Sequence, residues 1–115
     1  MIQSLKNPQF RTVYDKGRSK SDKYLVMYVY ANGLAENRLG ITVSKRNGNS
    51  VVRSRLKRII KEAYRLQQQR FKTGYDIVII ARNPSIDQKS TQMEKSIIRI
   101  AEKFHILKAE DGNGE

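Results

Sequence analysis

The side chains best placed to do chemistry in this sequence are cations, and they are concentrated. Residues 44–72, SKRNGNSVVRSRLKRIIKEAYRLQQQRFK, hold ten Lys or Arg against the single Glu62, which is +9 of the +12 carried by all 115 residues. Groups for bond cleavage are scarce. Acid–base hydrolysis of RNA by protein alone typically needs two histidines poised near neutral pH, and His105 stands alone. A Mg²⁺-dependent nuclease needs several converging carboxylates, yet the acids form no obvious pair, and the densest group, Glu110 and Asp111, lies near the end of the sequence. There is no phosphate-binding loop ending in Lys-Ser/Thr, no GxGxxG and no zinc ligand set. Such a composition points to binding a polyanion and away from a self-sufficient nuclease.

The cations need an element to display them. Val52, Leu56, Ile59, Ile60, Ala63 and Leu66 recur at three- and four-residue spacing, which predicts the buried stripe of a helix. At about 100° per residue, Ser54, Lys57, Arg58, Lys61 and Arg65 fall on the opposite arc, with Arg53 and Arg55 near its edges. Gly48, Asn49 and Ser50 predict a tight loop running into an N-cap. Free amides at that helix start favour phosphate, and Lys45, Arg46 and Arg53 reinforce the preference. A plain solvated face is the competing account. Against it, like charges one turn apart, as in Lys57, Lys61 and Arg65, cost helix stability, and only Glu62 opposes them locally. Arg55 has Glu62 as an alternative partner to RNA.

The remaining elements follow from pattern. Asn7-Pro8, then Phe10, Val13, Tyr14 and Gly17, predict a short helix with Pro in its first turn. Strict alternation over residues 24–30 predicts a strand with Leu25, Met27 and Val29 inward and Tyr24, Val26, Tyr28 and Tyr30 on a semi-exposed face. Residues 18–21 suit a short edge strand beside it. Asn32-Gly33 predicts a hairpin connection to a second strand over residues 38–44, with Leu39, Ile41 and Val43 inward. The β-branched run at residues 76–81 predicts a central strand covered on both faces. A last helix falls within residues 87–107, burying Met93, Ile97, Ile100, Ala101 and Phe104, with His105 near its end, where a cation suits the dipole.

Size and composition bound the rest. The expectation is one domain over residues 1–109 and a disordered acidic tail at 110–115. No Cys means neither disulfides nor thiolate metal sites, which fits a reducing cytosol. No apolar run approaches the roughly 18 residues of a membrane span, and no secretion signal opens the sequence, so a soluble cytoplasmic protein without membrane attachment is expected. Nucleic acid is the favoured partner for a pI near 10.2. Phe10, Tyr14 and Tyr28 either pack a small core or form a platform for unpaired bases, worth about 1–3 kcal/mol per stacked base.

With these elements in place, GNSVVRSRLKRIIKEAYR closely resembles the protein component of bacterial ribonuclease P, whose signature is a loop Gly, an Arg-Asn-Arg and a Lys-Arg along the second helix. The matching residues are Gly48, Arg53-Ser54-Arg55 and Lys57-Arg58, continued by Lys61 and Arg65. FRTVYDKGRS at residues 10–19 and YDIVIIAR at residues 75–82 match as well, so the likeness covers nearly all of residues 5–107. Ser54 stands where the family usually has Asn; a hydroxyl donates and accepts but lacks the amide's second donor. The resemblance implies an α+β fold, a two-layer α/β sandwich like the second domain of a small-subunit ribosomal protein. Its order is helix, three strands, helix, strand, helix, with a left-handed crossover around the basic helix. It implies a ribonucleoprotein endonuclease that removes the 5′ leader of precursor tRNA, its Mg²⁺ held mainly by a catalytic RNA, with no catalytic or metal-binding residue on this chain and one protein per RNA. By residue-wise transfer, Lys45, Arg46, Asn49, Arg53, Ser54, Arg55, Lys57, Arg58, Lys61 and Arg65 face the catalytic RNA, and Phe10, Tyr14 and Tyr28 grip the leader. The alternative is a ribosomal or other structural RNA-binding protein with no part in cleavage.

Overall fold

Alternating and helical patterns resolve, in a computed structural model that describes residues 2–109, into one sheet and three helices. In chain order they are β1 (Gln3–Ser4), α1 (Asn7–Lys16), β2 (Arg18–Ser21), β3 (Leu25–Ala31), β4 (Arg38–Thr42), α2 (Ser50–Gln67), β5 (Tyr75–Ala81) and α3 (Ser90–Phe104). Short 3-10 turns occupy Lys45–Asn47, Gln68–Arg70 and Asn83–Ser85. The expected order of helix, three strands, helix, strand, helix is present, preceded by β1, whose two residues are too few to carry a pattern. The acidic tail lies outside the described residues.

The sheet order is β1-β4-β5-β3-β2. The anticipated hairpin between β3 and β4 does not form, because β5 inserts between them, antiparallel to β3 and parallel to β4. Burial supplies the reason. Ile77, Val78 and Ile79 are all fully buried, and a strand apolar on both faces gains most at the centre of a sheet covered on both sides. The 32–37 connection therefore crosses the end of β5, where the Asn37 carboxamide accepts the Tyr75 N–H at 2.8 Å and donates to Lys72 O at 2.9 Å. Beneath it Asp76, buried beside Arg38 on β4, accepts that guanidinium bidentately at 2.7 and 2.8 Å and the Asn32 amide at 2.9 Å. This charge-assisted pairing holds the Arg38 guanidinium above its ordinary pKa, the Asp76 hydrogen bonds being the main cause.

Helices α2 and α3 cover one face of the sheet. Leu56, Ile60 and Ala63 from α2 and Met93, Ile97, Ile100, Ala101 and Phe104 from α3 bury against Leu25, Met27, Val29, Leu39, Ile77 and Ile79. Leu66, assigned to that stripe from spacing, is instead exposed, and Tyr64 is buried in its place. On the helical wheel Leu66 lies about 120° from Ile60 and Tyr64 about 40°, so the last turn faces α3 and Phe71 with Tyr64. Against the other face packs only α1, through Val13 and with Leu5 just before it, over Val78. Ten residues cannot cover that face, and Val26, Tyr28, Tyr30 and Ile80 stay half-buried. His105 ends α3 in the left-handed conformation at φ 60°, and its backbone N–H, 3.0 Å from Glu102 O, closes the helix.

Candidate nucleic-acid interface

The cationic region begins at the end of β4. Ser44 starts the 3-10 turn, its hydroxyl accepting the Arg46 N–H at 3.2 Å, while Lys45 and Arg46 stand exposed on it. Gly48 has φ 138°, a value that excludes a side chain, and a Cβ there would also press on Val52 at 2.9 Å. Asn49 is the N-cap of α2, its side-chain oxygen accepting the Val52 N–H at 3.0 Å. Of the two capping candidates in the sequence, Asn49 and not Ser50 takes the position.

Along α2, Ser54, Lys57, Arg58, Lys61 and Arg65 are all exposed and form the outward stripe that spacing predicts. Arg65 is neutralised within it by Glu62, with Nε–Oε1 at 2.9 Å and the second guanidinium nitrogen 2.7 Å from Oε2. The hydrogen bonds from Arg65 hold the Glu62 carboxyl below its usual range. Among the described residues, Lys45, Arg46, Arg53, Lys57, Arg58 and Lys61 enter no ion pair. Arg53 and Arg55 are half-buried at the flanks, with opposite circumstances. Arg53 Nε is buried without a partner among the described residues. Arg55 does not reach Glu62; its guanidinium donates to Ile86 O and Gln88 O, each at 3.0 Å.

The three aromatics converge on the open face of the sheet. Phe10 and Tyr14, one turn apart on α1, have ring centroids 6.3 Å apart, and Tyr14 meets Tyr28 of β3 edge to face at 5.1 Å. The Tyr14 hydroxyl lies 3.0 Å from Thr42 Oγ1 on β4. Gly40 makes this approach possible, since any Cβ there would collide with the Phe10 ring. Strand register sets Ser21, Val26, Ile80 and Thr42 in one row beside Tyr28, and α1 touches that row through the Tyr14–Thr42 contact. Those four belong to the cleft although sequence reading passed over them. Val26 showed only as a member of the tyrosine face, and the others are brought in by pairing across strands.

Charge and aromatics meet at the edge of the sheet. β1 pairs with β4 only at Arg38 and Leu39, which leaves Gly40 to Thr42 along an open edge. Over it lies a groove of about 410 Å³, lined on one side by Leu5 and Phe10 and on the other by Ser54, Lys57, Arg58 and Lys61. A larger cavity of about 520 Å³ between α2 and α3 mixes Glu94 and Glu102 with Lys95 and Arg99, so it lacks the single sign of charge that draws an anion. Among the described residues, no three His, Asp or Glu side chains gather as metal ligands, and no helix is long and apolar enough to cross a membrane.

Fold and surface together define a small α+β domain that displays a cationic helix stripe beside an aromatic cleft. Residues 4–105 match the sequence pattern of the family described as Ribonuclease P. The chain is 43% identical over 102 residues to the ribonuclease P protein component of Alkaliphilus oremlandii, covering 89% of this chain and 90% of that one. It is 50% identical over 102 residues to the namesake of Clostridium botulinum strain 657, covering 88% and 92%. The solved structure of the RNase P protein of Staphylococcus aureus superposes with a TM-score of 0.81 at 31% identity, over 94% of this chain and 99% of that one. That of Thermotoga maritima shares the fold, with a TM-score of 0.80 at 24% identity over 88% and 96%. The chain belongs to the ribonuclease P protein family.

Proposed function

We propose that the protein is the RNA-binding subunit of ribonuclease P and assists endonucleolytic removal of the 5′ leader from precursor tRNA in the cytoplasm. One copy docks on each catalytic RNA. The exposed cations of the 3-10 turn and of α2 take the phosphates of that folded RNA, and Phe10, Tyr14 and Tyr28 take unpaired leader bases, the division that folded and single-stranded RNA require. The single observation that carries this reading is the groove at the β4 edge, where Phe10 and the Lys57–Arg58–Lys61 stripe line one space. A strand leaving a folded RNA can pass from phosphate contacts to stacking contacts within one groove.

Mg²⁺ held mainly by the RNA would supply activation of the attacking water. Among the described residues, no three acids gather as a metal cage would require. The chain binds, orients and shields the substrate strand.

Binding of precursor and mature tRNA to the reconstituted holoenzyme, with Tyr28→Ala beside the wild type, tests the assignment. Tighter binding of the precursor, lost on substitution by about tenfold per stacked base removed, is the expected result. Equal affinity for both tRNAs in the wild type, with the variant unchanged, would leave a structural RNA-binding protein. If six of the free cations contact phosphate, log affinity for the catalytic RNA falls with log salt at a slope of roughly −5.

A further inference from the structure

The signature Arg53-Ser54-Arg55 places two arginines two residues apart, hence about 200° apart around α2. They cannot both face one RNA surface. Arg53 keeps its guanidinium unbonded, whereas the Arg55 fork spans the carbonyls of Ile86 and Gln88, both 3.0 Å away. Those carbonyls belong to the connection between β5 and α3. A second tie reaches the same connection from the cationic turn. Asn47 is 4% exposed; its Oδ1 accepts the Ser44 N–H at 3.0 Å and its Nδ2 donates to Asn83 Oδ1 at 2.7 Å. The receiving segment is itself stiff, with Pro84 in its 3-10 turn and buried Ser85 donating its hydroxyl to Arg82 O at 2.6 Å.

We propose that Asn47 and Arg55 are positioning residues that lock the cationic turn and the start of α2 to residues 83–88, and that Arg55 meets no phosphate. This rests on the RNA-binding reading above. Phosphates of a folded RNA sit at fixed spacings, so cations held at matching spacings bind without the ordering cost that a loose loop would incur. Lysine, with a single ammonium on a flexible stem, cannot replace a fork that spans two carbonyls.

The test is titration of a bacterial ribonuclease P RNA at several salt concentrations with full-length wild type, Asn47→Ala, Arg55→Gln, Arg55→Lys and Arg53→Gln, alongside hydrogen exchange of the free proteins. Asn47→Ala and both Arg55 variants are expected to weaken binding by about tenfold at the wild-type salt slope, with faster exchange at residues 44–53 and retained thermal melting transitions. Arg53→Gln is expected to make the slope shallower by about one unit with exchange unchanged. A one-unit shallower slope for Arg55→Gln, with Arg55→Lys behaving as wild type, overturns the inference, because Arg55 is then a phosphate contact. Unchanged exchange and affinity in Asn47→Ala overturns it as well. If the wild type shows no salt-dependent binding, the proposed function fails, and exchange at residues 44–53 still decides the tether.

Discussion

The cationic stripe and the aromatic cleft are built by different rules. The stripe lies on one helix, and its members are brought together by a 3.6-residue period that survives in the linear sequence. The cleft draws Phe10 and Tyr14 from α1, Tyr28 from β3, Thr42 from β4 and Ile80 from β5, and beyond the one-turn spacing of Phe10 and Tyr14 nothing local forces them together. A helix can therefore lose one cation and keep its display. The cleft depends on sheet order, on the seat of α1 and on one glycine, so it is the more fragile half of the same surface.

Removing what both halves share has the largest expected effect. Asp76→Ala leaves the Arg38 guanidinium and the Asn32 amide without their acceptor in the β4–β5 seam, and chemical denaturation should report a loss of about 3–5 kcal/mol. Gly40→Ala separates the halves. Its methyl collides with the Phe10 ring, a strain of about 1–3 kcal/mol that displaces α1. Discrimination of precursor from mature tRNA in the holoenzyme should fall roughly tenfold, while the salt slope for the catalytic RNA stays put. Lys57→Gln combined with Lys61→Gln does the converse, making that slope shallower by about two units and sparing leader discrimination.

A smaller effect comes from acid. Burial opposes charge on Asp22, but the Ser96 hydroxyl, the Leu25 and Tyr24 amides and Arg99 outweigh it and hold the carboxyl below its ordinary 3.8. A depressed carboxyl contributes stability that is complete above its unfolded value and is lost as pH falls through the folded one. Melting temperature should thus drop more steeply below pH 3.8 in the wild type than in Asp22→Asn. Smallest is Glu62→Gln, which frees Arg65 on the exposed stripe and should steepen the salt slope by up to about one unit.

Tyr64 and Leu66 mark how far periodicity reads. Both are apolar enough to bury, and the choice between them depends on which way the last turn of α2 faces, which α3 and Phe71 decide. The β3–β4 connection marks another boundary. Asn32-Gly33 has hairpin chemistry, yet the gain from burying both faces of β5 exceeds what a local turn is worth.

The sequence by itself determined the three helices, the alternation of β3, a cap at Asn49 or Ser50 and the line of cations along α2, because each depends on residues within a few positions of one another. Tertiary structure alone decided that β5 separates β3 from β4, that Thr42 and Ile80 stand beside Tyr14 and Tyr28, and that Arg55 and Asn47 grip residues 83–88. Those pairings join positions up to dozens of residues apart, and their stability comes from burial and hydrogen bonds that exist only once the sheet has closed around its central strand.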